Sequence, residues 1–264
     1  MNHDSMYGHG MTTYDFTDRT AVVTGGTRGI GYATAELLLR SGANVVITSR
    51  KAEAADAAAA SLAEATGAKD RVLGLAGHVA DEDAATRVCD EAVSRFGSLD
   101  ILINNAGTNP AYGPVTEQSR TVMQKVFDIN VTGPAVWAGA AVRAGLGDKN
   151  PGAIVNVASI GALFIEDGIG VYNASKSAIM HLTRQMAHEL APSVRVNSVA
   201  PGVVRTKLSE ALWKEDEDAA ASVTPLGRIG EPADIADAIC FLAAPSTSWI
   251  TGSNLVIDGG QIVN

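Results

Sequence analysis

The feature that most constrains this chain is an alternation, starting at Ala21, of short β-branched runs with longer amphipathic or alanine-rich stretches. It predicts strands over 21–24, 44–48, 71–75, 99–104, 153–159, 194–200 and 255–257. Each is a nearly continuous apolar run, the pattern of a parallel sheet covered on both faces. Helical patterns over 29–41, 52–66, 81–96, 117–145, 171–191 and 231–244 supply the crossovers that parallel pairing requires. Asp81 ahead of Glu82 and Asp83, and Glu231 ahead of Pro232, are helix-start signals. The expected architecture is one α/β domain: a doubly wound, seven-stranded parallel sheet with helices on both faces.

Composition removes other classes. With 264 residues, 46% of them apolar and 19% charged, the chain can fill a large core and is too hydrophobic to be disordered. A formal net charge of −9 argues against nucleic acid and anionic membranes as partners, so any phosphate site has to be local. The longest uncharged stretch, 238–257, is broken by Pro245, Gly252 and Asn254, and no membrane span is expected. Cys89 and Cys240 are too few and too isolated for a disulfide framework, which fits a reducing cytoplasm. His181 and His188 have no carboxylate or cysteine cluster around them, and no metal site is expected, the Met1-Asn2-His3 start included. Residues 1–14 lack hydrophobic periodicity and read as a flexible tail, leaving 15–264 as the domain. Within it the segment 206–224, with Trp213 and the acidic run from Glu215 to Asp218, interrupts the alternation and reads as a substrate cover.

The first strand runs into Thr24-Gly25-Gly26-Thr27-Arg28-Gly29-Ile30-Gly31 and then a helix. Glycines so placed allow a tight turn and close approach of the backbone to a pyrophosphate, while the helix N-terminus offers amide donors. That is the phosphate loop of a Rossmann-type fold, with a TGxxxGxG spacing distinct from GxGxxG. The second strand ends Ser49-Arg50-Lys51, where an acidic residue would bond a ribose 2′-hydroxyl. None is present. Arg50, with Arg28 from the loop, offers a guanidinium fork suited to a 2′-phosphate, so NADP(H) is preferred and NAD(H) remains the alternative.

Tyr172 and Lys176 lie one helical turn apart on one face. A phenol titrates near pH 10, and a fixed ammonium beside it favours the phenolate, bringing the tyrosine closer to use as an acid or base near neutrality.

Together Thr24–Gly31, Asn104-Asn105-Ala106-Gly107, Asn130, Ser159, Tyr172-x-x-x-Lys176 and the run from Pro201 to Thr206 resemble the short-chain dehydrogenase/reductases of the single-domain branch, over about 16–264. The resemblance implies that Tyr172 exchanges the proton at the substrate oxygen and that Ser159 bonds the same oxygen. It implies that Lys176 lowers the tyrosine pKa and bonds the nicotinamide ribose, and that Asn130 holds a water linking Lys176 to solvent. An alkoxide left by hydride transfer needs oriented donors and a proton source but no metal. For the cofactor the resemblance implies Gly25, Thr27, Arg28, Gly29, Ile30 and Gly31 in the loop, with Ser49 and Arg50 beyond the second strand. It adds Asn105, Ala106 and Gly107 under the adenine, Tyr172 and Lys176 at the ribose, and Pro201, Gly202, Val204 and Thr206 at the nicotinamide. After the third strand the family commonly has an acidic residue, whereas this chain reads Gly77-His78-Val79. His78 either contacts the adenine alongside Val79 or is a satisfied loop histidine.

The substrate implied is a small carbonyl compound or secondary alcohol. A 3-oxoacyl thioester on an acyl carrier protein or coenzyme A is the alternative, weakened because Asn150 and His188 stand where carrier reductases have arginines, though Arg143 and Lys149 lie near. A non-catalytic NADP(H) sensor is a more remote alternative, disfavoured by the presence of both Tyr172 and Lys176. Residues 108–112, 160–164, 203–204 and 208–213 are the expected, mostly apolar, pocket walls, with Phe164 and Trp213 either lining or merely packing. A homotetramer is implied, with Trp137, Trp249 and Ile262-Val263 as contacts.

Overall fold

Strand-forming runs with apolar residues on both faces have to be covered from both sides, and the molecule does this with two helical layers. The computed structural model describes residues 14–263. The expected tail, apart from Tyr14, lies outside them. The seven parallel strands, β1 (Thr20–Val23), β2 (Asn44–Ser49), β3 (Val72–Ala76), β4 (Ile101–Asn104), β5 (Gly152–Val157), β6 (Val194–Pro201) and β7 (Asn254–Ile257), are ordered β3-β2-β1-β4-β5-β6-β7. They are joined by α1 (Gly29–Arg40), α2 (Ala52–Thr66), α3 (Glu82–Phe96), α4 (Arg120–Phe127), α5 (Gly133–Arg143), α6 (Gly170–Glu189), α7 (Glu217–Ser222) and α8 (Pro232–Ala243).

Side-chain alternation sorts the core. Ala21, Val23, Val45 and Ile47 face a layer of α1, α2 and α8, where Leu38, Leu62 and Ile239 are fully buried. Val22, Val46, Leu102 and Ile154 face α3, α5 and α6 through Val88, Trp137 and Met186. The order reverses at β1, which pairs with β2 on one side and β4 on the other. The carboxyl ends of β1 and β4 therefore open a crevice, the place where such sheets take ligands.

The predicted elements differ from the structure by a residue or two at most ends, with one physical exception. The 117–145 stretch is not one helix: a 3-10 turn at Val115–Glu117 precedes α4, and a π-helical turn over Asp128–Thr132 separates α4 from α5. Pro134 has no N–H to give to the Asn130 carbonyl four residues back, so the α ladder cannot run through. The Gly133 N–H instead reaches back five residues to Asp128 O. Tyr14 is anchored to the domain, its hydroxyl donating to Asp237 O at 3.0 Å.

Candidate active site

The glycine loop is shaped by backbone needs that only glycine meets. Gly25 and Gly29 have φ of +65° and +55°, and a Cβ on Gly31 would lie 2.4 Å from Asn105 Nδ2 and 2.5 Å from Gly25 O. The loop is laced to the β4 end. Thr24 Oγ1 accepts from the N–H groups of Asn105 (3.0 Å) and Ala106 (3.1 Å), while Asn105 Nδ2 donates to Thr24 O and Gly25 O, each at 3.0 Å. Thr206 closes the far side, since a Cβ on Gly29 would come within 3.3 Å of its Cγ2. Positive-φ glycines, a helix N-terminus and a cradle that a side chain would fill fit a dinucleotide pyrophosphate.

Arg28 occupies the N-cap of α1 with no side-chain capping bond, and Arg50 follows β2; both are exposed. Ser49 Oγ accepts from the Lys51 N–H at 3.4 Å. His78 Nδ1 accepts from the Ala80 N–H at 3.1 Å, which satisfies one ring nitrogen within the loop. The neighbouring Val79 O accepts from Trp137 Nε1 at 3.0 Å. Trp137 is fully buried, so this side chain is spent inside the subunit and is not the oligomer contact expected of it. Gly202 packs on Asp258, and Val204, nearly buried, pairs with Gly230 in an isolated bridge.

Four polar residues converge below the crevice. Ser159 starts the 3-10 turn after β5, its Oγ accepting from the Gly161 N–H. Tyr172 and Lys176 are both on α6, with Lys176 Nζ 5.5 Å from the tyrosine ring centroid. Lys176 Nζ donates to Val157 O at 2.8 Å. Asn130 Nδ2 donates to Thr108 O and Ser175 Oγ, each at 3.0 Å, and Oδ1 accepts from the Thr108 N–H at 2.9 Å. Its side chain thus knits the β4 loop to α6, while its carbonyl is the atom the proline released. Gly107 adjoins the cluster: a Cβ there would be 3.5 Å from Asn130 Oδ1 and 3.6 Å from Lys176 Nζ.

Burial dominates the electrostatics. It pushes the Tyr172 phenol up to about 12; the Ser159 hydroxyl pulls it down, and the Glu166 and Tyr112 charges push it further up. Burial brings the Lys176 ammonium down to about 8. The expected lowering of Tyr172 by Lys176 is therefore not what the protein's own groups produce, because desolvation of the phenolate outweighs every lowering influence. Glu166 was not legible beforehand: a lone acidic loop residue carries no periodic or motif signal.

The 206–224 segment is tied down by Arg205. Its Nη1 and Nη2 grip both carboxylate oxygens of Glu217 (2.5 and 2.6 Å), its Nε donates to Glu231 Oε1 at 2.8 Å, and its guanidinium lies 5.2 Å from the Trp213 ring centroid. Trp213 also donates from Nε1 to Ser209 Oγ at 3.3 Å, and Ser209 meets Thr206 Oγ1 at 3.0 Å. Phe164 packs on the cluster of Ala158, Ile160, Ile179, Met180 and Ala200. The thiols of Cys89 and Cys240 are fully buried, and burial pushes both up in pKa. Among the described residues no helix is long and apolar enough to cross a membrane.

A doubly wound sheet with a glycine loop at its switch point and a Tyr–Lys pair on α6 defines a nucleotide-dependent oxidoreductase class, and comparison with known proteins agrees. A family model described as "Enoyl-(Acyl carrier protein) reductase" matches residues 25–261. The chain is 38% identical over 263 residues to "Dehydrogenase/reductase SDR family member 4" of Homo sapiens, covering 98% of this chain and 93% of that protein. It is 39% identical over 246 residues to "Cis-4-hydroxycyclohexanecarboxylate dehydrogenase" of Sinomonas cyclohexanicum, covering 93% and 97%. A solved short-chain dehydrogenase/reductase from Brucella melitensis superposes with a TM-score of 0.88 at 36% identity, covering 95% of this chain and 99% of that one. The chain belongs to the short-chain dehydrogenase/reductase family.

Proposed function

We propose that this protein is an NADP(H)-dependent oxidoreductase interconverting a ketone and a secondary alcohol, with Tyr172 as the general acid and base. The observation that carries the reading is the convergence of Ser159, Tyr172 and Lys176 beside Gly107, at the end of the strand laced to the glycine loop. Hydride is the chemistry that NADP(H) supplies or takes up when bound. Gly25, Thr27, Gly29, Ile30 and Gly31 would hold its pyrophosphate end, and Arg28 and Arg50 its 2′-phosphate. Ser49, His78, Val79, Asn105 and Ala106 would frame the adenosine, and Pro201, Gly202, Val204 and Thr206 the nicotinamide.

Ser159 donates to the substrate oxygen and fixes its position. Tyr172, held protonated by burial, gives its proton to that oxygen as negative charge develops there in the reduction and takes it back in the reverse reaction. Lys176 carries a cation into a buried place and refills the phenol's proton by way of the Asn130 carbonyl and solvent. The 206–224 segment covers the substrate, with Leu208 and Leu212 half-exposed at its rim. The oligomer is a homotetramer using the exposed Trp249 and Val263, and the site of action is the cytoplasm.

The family model's description favours a carrier-borne thioester as the second reading. Against it, Asn150 is engaged by Asp100 Oδ1 at 2.9 Å, Lys149 Nζ by Gly97 O at 2.5 Å, and Arg143 faces Glu82 at 4.0 Å. The basic groups that would greet an acidic carrier are few and already engaged.

The test is initial-rate oxidation of NADPH and NADH across aryl ketones, cyclic ketones, β-ketoesters and β-ketothioesters, with Tyr172→Phe and Arg50→Ala alongside. Tyr172→Phe should lose roughly 10³-fold in kcat while still binding NADPH. Arg50→Ala should weaken NADPH about tenfold more than NADH. Retained turnover in the first variant overturns the mechanism, and equal losses in the second overturn the NADP(H) assignment.

A further inference from the structure

Twelve residues of chain separate Ser159 from Tyr172, and the middle of that loop carries a half-buried acidic group, Glu166, beside the exposed Asp167. Glu166 is half-buried, and among the described residues it has no hydrogen-bond or ion-pair partner. The side chains around it sort by direction. Phe164 turns in to the small cluster under β5 and α6, Ile165 is 94% exposed, and the next residue, Glu166, is withdrawn again from solvent. The loop is pinned across the mouth of the site, because the Gly113 N–H donates to Gly168 O at 2.8 Å. That bond brings the Tyr112 and Glu166 segments to the same rim, and both groups are close enough to Tyr172 to act on its phenol electrostatically.

A half-buried carboxylate with no cation or donor beside it keeps only part of its hydration, and a cationic or donor group on a ligand would complete it. Burial alone already holds the Glu166 carboxyl above the usual carboxylate range. Asp167 beside it is exposed and adds charge of the same sign. The acidic residues of the 206–224 segment, the proposed substrate cover, outnumber its lysines, so that segment brings no net positive charge to the site.

We infer that Glu166 is a specificity-determining residue: it selects ketones and alcohols bearing a cationic or hydrogen-bond-donating group near the carbonyl, and rejects those bearing a carboxylate. The inference rests on the proposed ketone/alcohol reading and narrows its substrate class. A carboxylate substituent placed against a half-buried carboxylate meets like charge at reduced dielectric, whereas an ammonium or hydroxyl there becomes the missing partner.

The experiment uses three cyclohexanones carrying methyl, ammonium or carboxylate at the 4-position, reduced at pH 8 by the full chain and by Glu166→Gln. The wild type should prefer ammonium over methyl and methyl over carboxylate in kcat/KM, each step about tenfold. Glu166→Gln should collapse that order, each rate being read relative to the methyl ketone reduced by the same form, because loss of the Glu166 charge also acts on the Tyr172 phenol and so moves all three rates together. The same order is read without turnover from calorimetric Kd values of the three cyclohexanones in the presence of oxidised NADP, a pair between which no hydride can pass. Equal Kd values, a preference for carboxylate, or an order that survives in Glu166→Gln overturns the inference. Ordered Kd values with no turnover of any ketone support it and overturn only the hydride-transfer reading beneath it.

Discussion

The two walls of the candidate site are held by different physics. The inner wall, from the glycine loop through β4 and β5 to α6, is joined by buried, mostly uncharged hydrogen bonds. Asn104 Nδ2 donates to Asn156 Oδ1 at 2.9 Å, Asn156 Nδ2 to Thr183 Oγ1 at 2.9 Å, and Asn130 bridges Thr108 and Ser175. The outer wall, 206–224, is fastened by partly exposed ion pairs, Arg205 to Glu217 and Glu231 and Lys214 to Glu210. Buried neutral bonds hold fixed geometry and ignore salt, while exposed charge pairs are weak, screened and readily remade. Groups that meet the reacting atoms need the first kind of support. A wall that admits a ligand needs the second.

The comparison breaks most severely at Gly31. Gly31→Ala places a methyl against a backbone carbonyl and the Asn105 amide that ties the loop to β4, so the inner wall has to move. NADPH affinity should fall more than about a hundredfold, measured by fluorescence titration, with 206–224 contributing nothing to the loss. The next effect is of opposite sign on stability. Lys176 is a buried charge in the inner wall, and burial brings it from 10.5 to about 8. Below about pH 8 the folded state holds a desolvated ammonium; between there and 10.5 the unfolded chain binds the proton and the folded one does not. Stability from this group therefore rises with pH through that window. Lys176→Met should abolish turnover yet raise stability at pH 7, by on the order of 3 kcal/mol before the lost Val157 bond is counted. The gain should shrink towards pH 10.5 in denaturant titrations. A variant less stable than wild type at pH 7 would show that the inner wall carries no such cost.

Most of the inner wall was legible in the sequence because it is made by periodicity and by motifs with fixed backbone consequences. Apolar runs located the strands within a residue or two, the glycine loop follows β1 into α1 as the alternation implied, and Tyr172 and Lys176 share α6. The π turn at Asp128–Thr132 was written in Gly133-Pro134 but hidden by the amphipathic pattern running across it. Trp137 read as an interface residue because an aromatic on a helix looks the same whether it faces a partner or its own core; the Val79 carbonyl that claims it lies 58 residues away. The outer wall was legible only as an interruption. Arg205 joins residues 12 and 26 positions further on, and no local rule predicts such pairing. The high phenol pKa of Tyr172 likewise depends on burial, a property of the assembled fold.

The mildest test sharpens the contrast from the outer side. Arg205→Ala removes the grip on Glu217 and Glu231 and the cation over Trp213, without touching the Asn104–Asn156–Thr183 chain. A structural defect would lower kcat and melting temperature together. Loss of a fastening raises substrate KM, by roughly three- to tenfold, and leaves kcat and NADPH affinity close to wild type. Salt separates the two accounts further. Raising ionic strength from about 0.05 to 0.5 M shortens the Debye length to a few ångströms, so wild-type KM should climb about twofold. Arg205→Ala, having no such pair left to screen, should show no rise. Arg205→Lys restores the charge but not the two-pronged grip on Glu217, and should fall between them. Equal salt sensitivity in all three forms would mean that charge does not fasten the outer wall, and that the two walls differ only in exposure.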